Sequence, residues 1–181
     1  MYVLTRQNLR TAFPDESEKT FSEGLARLVA AGLLTRAARG VYVNEAAKSR
    51  SGHTIEQIAR ALRPADLSYV SLESALSEYG VISQIPVDRI TLMTTGRSGE
   101  FHTPYGTIEF VHTDRSPTRL REDTLDLEDR PLRIARVDIA LRDLRRVGRN
   151  LHLVDMDDYE EILAESTSQR NTSHKRNRER A

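Results

Sequence analysis

Two aspartates near the C-terminus have the spacing of a metal-binding pair. Asp155 and Asp157 form an Asp-x-Asp, and carboxylates so spaced can hold a Mg²⁺ ion that bridges triphosphate oxygens during nucleotidyl transfer. That chemistry also needs an upstream Gly-Ser segment to cradle phosphate, and only Gly148-Arg149 stands nearby. Aspartates are also favoured at the start of a helix, where they cap it and face the positive end of its dipole. We therefore interpret Asp155 as a helix N-cap.

The histidines do not form a recognisable site either. None of the five lies four residues from another, the spacing of a helical zinc pair. His102 and His112 can face each other across a hairpin, where a polar cross-strand pair is favoured over a site. The Gly96–Gly99 segment is interpreted as a plain turn rather than an anion-binding nest. The chain has no cysteine, which excludes disulfides and thiolate metal sites. With these motifs set aside, we predict no catalytic residue, metal ligand or cofactor, and no enzyme activity.

Polar and basic side chains in the first 40 residues have the chemistry for binding DNA. A predicted helix that begins at Glu18 and is ended by Gly32 carries a polar face that can reach base edges in the major groove. Arginines in the hairpin turn after it can bind phosphates. A packed corner with a solvated face has the same composition, and on the residues alone both interpretations stay open. The predicted DNA-binding residues are Lys19, Thr20, Ser22, Glu23, Arg27, Arg36 and Arg39.

The elements that position these residues follow the order of a winged helix. Thr5 can cap a short first helix, and Ser17 the second, whose apolar face repeats with the helical period from Phe21 to Val29. Gly32 ends this helix, and two short strands, 33–35 and 41–43, flank an Arg36–Gly40 turn. The helix that usually precedes these two is missing. A helix starting at Thr54 either covers this core or begins a second domain, and we favour the second domain.

The remaining chain predicts an α+β domain with a small antiparallel sheet of about three strands, at 89–94, 100–103 and 107–113. Residues 114–131 have no clear period, and we interpret them as a loop with one helical turn. Asp138 and Asp155 cap the C-terminal helices, and Gly148 ends the first of these. We therefore predict an α+β protein with a winged helix-turn-helix domain at 1–48, an α+β domain at 49–165, and a disordered basic tail at 166–181.

Charge is distributed unevenly although the formal net charge is zero. Residues 1–50 hold eight Lys and Arg against five Asp and Glu, and the last sixteen residues hold five against one. The middle of the chain is acidic, so DNA binding is expected to be local. No apolar run approaches the roughly 20 residues of a membrane span, and the start of the chain has no signal-peptide pattern. We expect a cytoplasmic protein without membrane contact.

Two stretches together resemble a known family. The first is the helix-and-hairpin segment from Leu25 to Tyr42. The second is the run from Tyr69 to Gly80, Tyr-Val-Ser-Leu-Glu-Ser-Ala-Leu-Ser-Glu-Tyr-Gly, followed by the Thr103-Pro-Tyr-Gly106 hairpin. The sequence resembles the AbiEi antitoxins of AbiE abortive-infection toxin–antitoxin systems over residues 5–163. Where the family has Glu-Lys-Ala-Leu-x-Asp, this chain has Asp138–Asp143 without the lysine.

The resemblance implies a type IV antitoxin involved in phage defence. Its winged helix would bind operator DNA, inverted repeats in its own promoter, and repress its operon. Its second domain would neutralise a nucleotidyltransferase-like toxin, with no stable complex required. The alternative is a winged-helix transcriptional regulator whose second domain senses a ligand or mediates oligomerisation, with no toxin partner.

Overall fold

A computed structural model describes residues 2–83 and 88–178, with side chains through residue 167. Within these residues the protein is α+β, with seven α-helices and nine strands in two sheets. In chain order the elements are β1 (Val3–Thr5), α1 (Arg6–Ala12), α2 (Glu18–Ala30), β2 (Thr35–Ala38), β3 (Val41–Val43), α3 (Thr54–Leu62), β4 (Ser68–Val70), α4 (Leu72–Glu78), β5 (Arg89–Thr94), β6 (Gly99–Thr103), β7 (Gly106–His112), α5 (Pro117–Asp123), β8 (Thr124–Leu125), β9 (Arg133–Ala135), α6 (Val137–Val147) and α7 (Met156–Arg178).

The first sheet has three short antiparallel strands in the order β1-β3-β2. The strands β2 and β3 meet at a tight turn, Arg39-Gly40, and their pairing shifts register between Arg36 and Ala38. Gly40 has a φ of +78°, which glycine adopts without steric cost. Its carbonyl accepts a hydrogen bond of 2.7 Å from the backbone N–H of Arg6. This bond fixes the tip of the hairpin against the start of α1.

Helices α1 and α2 begin where the sequence predicts. Thr5 and Asn8 form a reciprocal capping box at α1. At α2, the Ser17 hydroxyl accepts a hydrogen bond from the Thr20 N–H. Both predicted N-caps are thus confirmed. The buried side of α2 presents Phe21 and Leu25 to a small core, which also includes Leu34 and Tyr42 of the hairpin region.

Helix α3 lies against the first sheet. It contacts β1 and β3, and its Ile58 and Ala59 side chains are fully buried. The same apolar cluster contains Val3 and Val43 of the first sheet and extends into the second sheet. Although we assigned this helix to a second domain beginning at residue 49, it thus covers the sheet of the predicted winged helix.

The second sheet is larger than predicted and mixed in direction. Its six strands have the order β6-β7-β5-β4-β9-β8. Strand β5 pairs with β7 in parallel, and β4 with β9 in parallel, whereas the other neighbours are antiparallel. The prediction of a small antiparallel sheet of about three strands was wrong for this part of the chain. An alternating apolar pattern reveals a strand but not its neighbour or direction.

Helices α4 and α6 pack against each other, and α4 also packs on β5. Gly148, with a φ of +74°, ends α6 as predicted. Residues 114–131, predicted as a loop with one helical turn, contain helix α5, which Ser116 caps through its hydroxyl. Asp138, predicted as the N-cap of α6, lies in its first turn, two residues after the observed N-cap, Arg136.

The last helix extends further than the sequence suggested. Asp155 caps α7, because its carboxylate accepts hydrogen bonds from the N–H groups of Asp157 and Asp158 at 3.0 and 3.2 Å. The helix continues to Arg178, into the segment 166–181 for which we predicted disorder. No glycine or proline follows Asp155 in the chain, so no residue of that kind interrupts the helix. Among the described residues, no helix combines the length and apolar character needed to cross a membrane.

Candidate nucleic-acid interface

The exposed face of α2 presents several of the predicted DNA-binding side chains to solvent. Lys19 and Glu23 are exposed and make no side-chain hydrogen bond or ion pair with any residue that the structure describes. Thr20 is engaged in the helix start, because its hydroxyl lies 2.9 Å from that of Ser17. Lys19 and Glu23 are four residues apart and therefore lie on the same side of the helix. They are the α2 side chains most available to a ligand.

Ser22 is held by a neighbour that the sequence analysis missed. Its hydroxyl donates to the Glu18 carbonyl at 2.7 Å and accepts from the guanidinium of Arg6 at 2.8 Å. Arg6 also pairs with the Glu18 carboxylate and lies 4.9 Å from the centroid of the Phe21 ring. Arg6, the first residue of α1, is thereby fixed on the surface of α2. Only the adjacency of two capped helices in the sequence could have indicated this contact.

A groove between α2 and the first sheet brings Ser22 and Arg36 together. This helix–sheet groove has a volume of about 380 Å³ and is lined also by Arg6, Ala26 and Ala30. Arg36 was predicted in a turn, but it lies within β2, where the neighbouring Ala37 is buried and Arg36 is exposed. The alternation of a strand thus directs Arg36 outward, beside the polar face of α2.

Arg27 lies on the other flank of α2. It borders a separate, largely apolar groove with Phe13, Phe21 and Leu28. Five residues separate Arg27 from Ser22, which is roughly 140° around a helix that turns about 100° per residue. The predicted set therefore divides into two groups, with Arg36 and Ser22 on one side of the helix and Arg27 on the other.

Arg39 occupies the tip of the β2–β3 turn. It is exposed and lines a third groove, which also includes Arg6 and Arg60. Since Arg6 lines this groove and the helix–sheet groove alike, the two adjoin. Among the described residues, neither Arg36 nor Arg39 has an ion-pair partner. Both guanidinium groups are thus free to meet an anion.

Arginines elsewhere in the protein are used differently. Arg149 joins Glu73 and Glu109 through N–O distances of 2.8 and 2.5 Å. The hydrogen bond to Glu109 raises the pKa of the Arg149 guanidinium, outweighing the lowering caused by burial. Arg130 likewise bridges Glu56 and Glu78. Arg130 and Arg149 thus stabilise the part of the protein around the second sheet through ion pairs, whereas Arg36 and Arg39 are exposed and unpaired among the described residues.

The stretch that carries the family resemblance is mostly interior. Residues 71–76 are all buried, and Leu72 has a positive φ of 56°. Three hydrogen bonds hold this junction: the Thr91 hydroxyl donates to the Ser71 carbonyl, the Thr91 N–H donates to the Ser74 hydroxyl, and the Ser74 N–H donates to the Thr91 hydroxyl. The polar residues of this run therefore build the β4–α4 junction.

The alternative sites suggested by the sequence are not assembled. Asp155 and Asp157 form the start of α7, as we interpreted them. His102 lies opposite Thr107 in the β6–β7 pairing, so His102 and His112 do not face each other. The Gly96–Gly99 segment connects β5 to β6, and β7 lies between these two strands in the sheet. It is therefore not a hairpin turn between neighbouring strands. Within the described residues, no three His, Asp or Glu side chains are grouped to hold a metal ion.

No protein-family model matches the chain, and no curated protein matches its sequence.

Proposed function

We propose that the protein is a DNA-binding antitoxin that represses its own operon and counteracts a nucleotidyltransferase-like toxin. Two parts of the proposal have different support. DNA binding is supported by the geometry of residues 2–62, and the action on a toxin by the sequence resemblance to AbiEi antitoxins.

The observation that carries DNA binding is the set of unpaired cations around α2. Lys19, Arg36 and Arg39 are exposed, and none has an ion-pair partner in the described part of the chain. An arginine or lysine that stabilises a fold commonly pairs with a carboxylate, as Arg130 and Arg149 do here. Unpaired cations beside an exposed helix instead suit a duplex, whose phosphates dominate binding affinity.

The order of elements also favours a winged helix. The sequence β1-α1-α2-β2-β3, with β3 between β1 and β2, is the arrangement in which a second helix is presented beside a two-stranded wing. Helix α3 contacts β1 and β3 and so covers one side of this sheet. In this arrangement α2 enters the major groove, and the β2–β3 turn approaches the phosphates.

The predicted residues on α2 and those on the β2–β3 hairpin then have different tasks. Lys19, Ser22 and Glu23 extend from α2 toward base edges, with Glu23 as an acceptor for cytosine amino groups. Arg36 and Arg39 bind phosphates and fix the register of the protein on the duplex. Arg27 lies on the other flank of α2, and so does Thr20, about two helical turns before it. Both therefore contact the opposite wall of the major groove.

The action on a toxin is proposed for the region of the second sheet. The Tyr69–Gly80 run is largely interior, so its likeness to AbiEi antitoxins concerns the framework of that region. Asp143, at the end of the segment that departs from the family pattern, is fully buried. Residues that meet a toxin are therefore expected among exposed side chains and not among the buried residues of these two segments.

A pair of experiments tests the two parts separately. Fluorescence anisotropy with duplexes from the protein's own promoter, against random duplexes of equal length, tests repression. Co-expression with an adjacent nucleotidyltransferase-like reading frame tests rescue of growth. Operator binding without rescue would replace the antitoxin with a winged-helix regulator whose second half senses a ligand or mediates oligomerisation. A failure to bind either duplex at low salt would refute the DNA-binding part.

A further inference from the structure

The groove at the tip of the β2–β3 turn is unusually basic. This tip groove, of about 650 Å³, lies between the turn, the start of α1 and the end of α3. Its lining includes three arginines, and no aspartate or glutamate is among the described lining residues. Its polar and charged lining residues are Thr5, Arg6, Gln7, Asn8, Arg39 and Arg60.

Two of the three guanidinium groups have no partner. Arg39 and Arg60 are exposed, and neither forms an ion pair or a side-chain hydrogen bond with a residue that the structure describes. Arg6 pairs with Glu18, which neutralises part of its charge. The groove therefore keeps a net positive charge. Its neutral donors, on Gln7 and Asn8, can also bind an anion.

Arg60 is held in place by the packing of α3. The helix contacts β1 and β3, and Ile58 and Ala59, which precede Arg60, are fully buried. Arg60 itself is exposed and lines the tip groove together with Arg39. A guanidinium on a fixed helix loses less freedom on binding than one on a mobile loop.

The tip groove continues the surface already described around α2. Arg6 lines both grooves, so Arg36, Arg6, Arg39 and Arg60 form one basic strip. A strip with several guanidinium groups can meet several phosphates of a duplex backbone, whereas a single free anion occupies only one such position.

We propose that the tip groove binds backbone phosphates of the duplex read by α2, with Arg60 of α3 as a direct phosphate contact. This inference rests on the proposed DNA binding and extends it to a helix beyond the predicted winged helix. Arg60 thereby adds affinity for any sequence and no base specificity.

The test measures how salt affects binding to a random duplex, by anisotropy, for the full-length protein and single variants. Each phosphate contact contributes a slope of about 0.9 in log K against log salt. Arg60→Ala should lower the slope by about that amount. Raising salt from 50 to 200 mM should then weaken Arg60→Ala about 3.5-fold less than the unaltered protein. Arg60→Lys should keep the slope, because the charge remains.

The matched control is Arg121→Ala on α5. Arg121 is also exposed and without an ion-pair partner among the described residues, but it lines neither groove. Its slope should equal that of the unaltered protein. Circular dichroism on each variant verifies that the fold is retained.

Three results would overturn the inference, and they can be told apart. If Arg36→Ala lowers the slope while Arg60→Ala does not, α3 makes no phosphate contact and the proposed DNA binding stands. If the unaltered protein does not bind the duplex, the proposed function itself fails. If inorganic pyrophosphate binds at micromolar concentration by calorimetry, and Arg60→Ala removes that binding but leaves the DNA slope unchanged, the groove serves a free phosphate ligand instead.

Discussion

Asp143 and Arg115 form a two-point salt bridge inside the protein, with N–O distances of 2.5 and 3.1 Å. The Asp143 carboxylate is completely buried and also accepts hydrogen bonds from the hydroxyls of Tyr69 and Ser71. Burial, followed by the nearby charge of Asp143, raises the pKa of the Tyr69 hydroxyl. The four side chains join α6 to β4 and to the segment between β7 and α5.

Replacing Asp143 with alanine should therefore destabilise the fold strongly. The change removes the fully buried carboxylate that Arg115 contacts most closely and leaves it a longer contact of 3.5 Å with Asp123. Removing one partner of a buried salt bridge typically costs about 3–5 kcal/mol. Urea unfolding followed by circular dichroism measures the free energy of unfolding. The control is Asp126→Ala, which removes an exposed partner of Arg133 and should cost about 1 kcal/mol or less. If the free energy of unfolding falls equally in the two variants, the buried salt bridge stabilises the fold no more than the exposed one does.

The dependence of stability on pH should change when Glu73 becomes glutamine. Burial alone would raise the pKa of the Glu73 carboxyl. Hydrogen bonds from Arg149 and Asn150 lower it by more, so the pKa lies below the ordinary 4.5. A carboxyl with a lowered folded-state pKa stabilises the fold above the unfolded-state pKa and loses that contribution as pH falls.

The unaltered protein should consequently lose more free energy of unfolding than Glu73→Gln between about pH 5 and pH 3. The two stabilities should converge at the acid end and differ most at neutral pH. Chemical unfolding at a series of pH values gives both curves, and Glu128→Gln, at an exposed position, serves as the control. Parallel curves for Glu73→Gln and the unaltered protein would contradict this role of Glu73.

Removing Arg36 and Arg39 together should weaken binding to all DNA sequences equally. Both guanidinium groups are free of ion pairs, and each is expected to contact one phosphate. The salt slope should fall by about 1.8, twice the roughly 0.9 of a single contact. Anisotropy titrations at several salt concentrations measure it. An unchanged slope would exclude both residues from the interface.

Glu23 should affect specificity rather than general affinity. It is exposed on α2 and has no side-chain partner among the described residues. If it reads a base, Glu23→Ala should weaken operator binding by about 1–3 kcal/mol and leave random duplexes almost unaffected. Competition between the two duplexes provides the measurement. If Glu23→Ala instead binds both duplexes more tightly than the unaltered protein, Glu23 repels phosphates and does not read a base.

Ile58→Ala should destabilise the two sheets together. Ile58 is fully buried in a cluster that contains Val43 of the first sheet and Leu92 of the second. Such a truncation costs about 2–5 kcal/mol. Near-ultraviolet circular dichroism and amide exchange should report one shared transition, shifted to lower urea. Two transitions, of which only one shifts, would support separate domains divided near residue 48.

The sequence predicted the local features of the fold more closely than its long-range ones. Helix caps at Thr5, Ser17 and Asp155 depend on a few neighbouring residues, and the structure has each of them. The parallel pairing of β5 with β7 could not be predicted, because the alternation of apolar and polar residues in a strand is the same for parallel and antiparallel partners. The packing of α3 on the first sheet depends on contacts between residues some 15 to 50 positions apart, such as Val43 and Ile58, which no local pattern encodes.

The candidate interface was predicted in composition but not in arrangement. Exposure of the seven DNA-binding residues follows from the helical period and from strand alternation, and all seven are exposed. The division of Arg27 from Arg36 depends on how α2 rotates against the hairpin, which Phe21 and Leu25 determine by burial. Arg6 and Arg60 were missed because each comes from a different helix, and only tertiary packing brings them beside Arg39.

Helix α3 contacts both the first and the second sheet. Its position can therefore couple binding at one sheet to binding at the other. A partner that binds near the second sheet and prefers one placement of α3 must also change the placement of Arg60 in the tip groove. If that partner alters DNA affinity tenfold, DNA must alter the affinity for the partner tenfold as well, about 1.4 kcal/mol in each direction. Occupancy of the operator and occupancy of the partner would then report on each other without any contact between the two ligands.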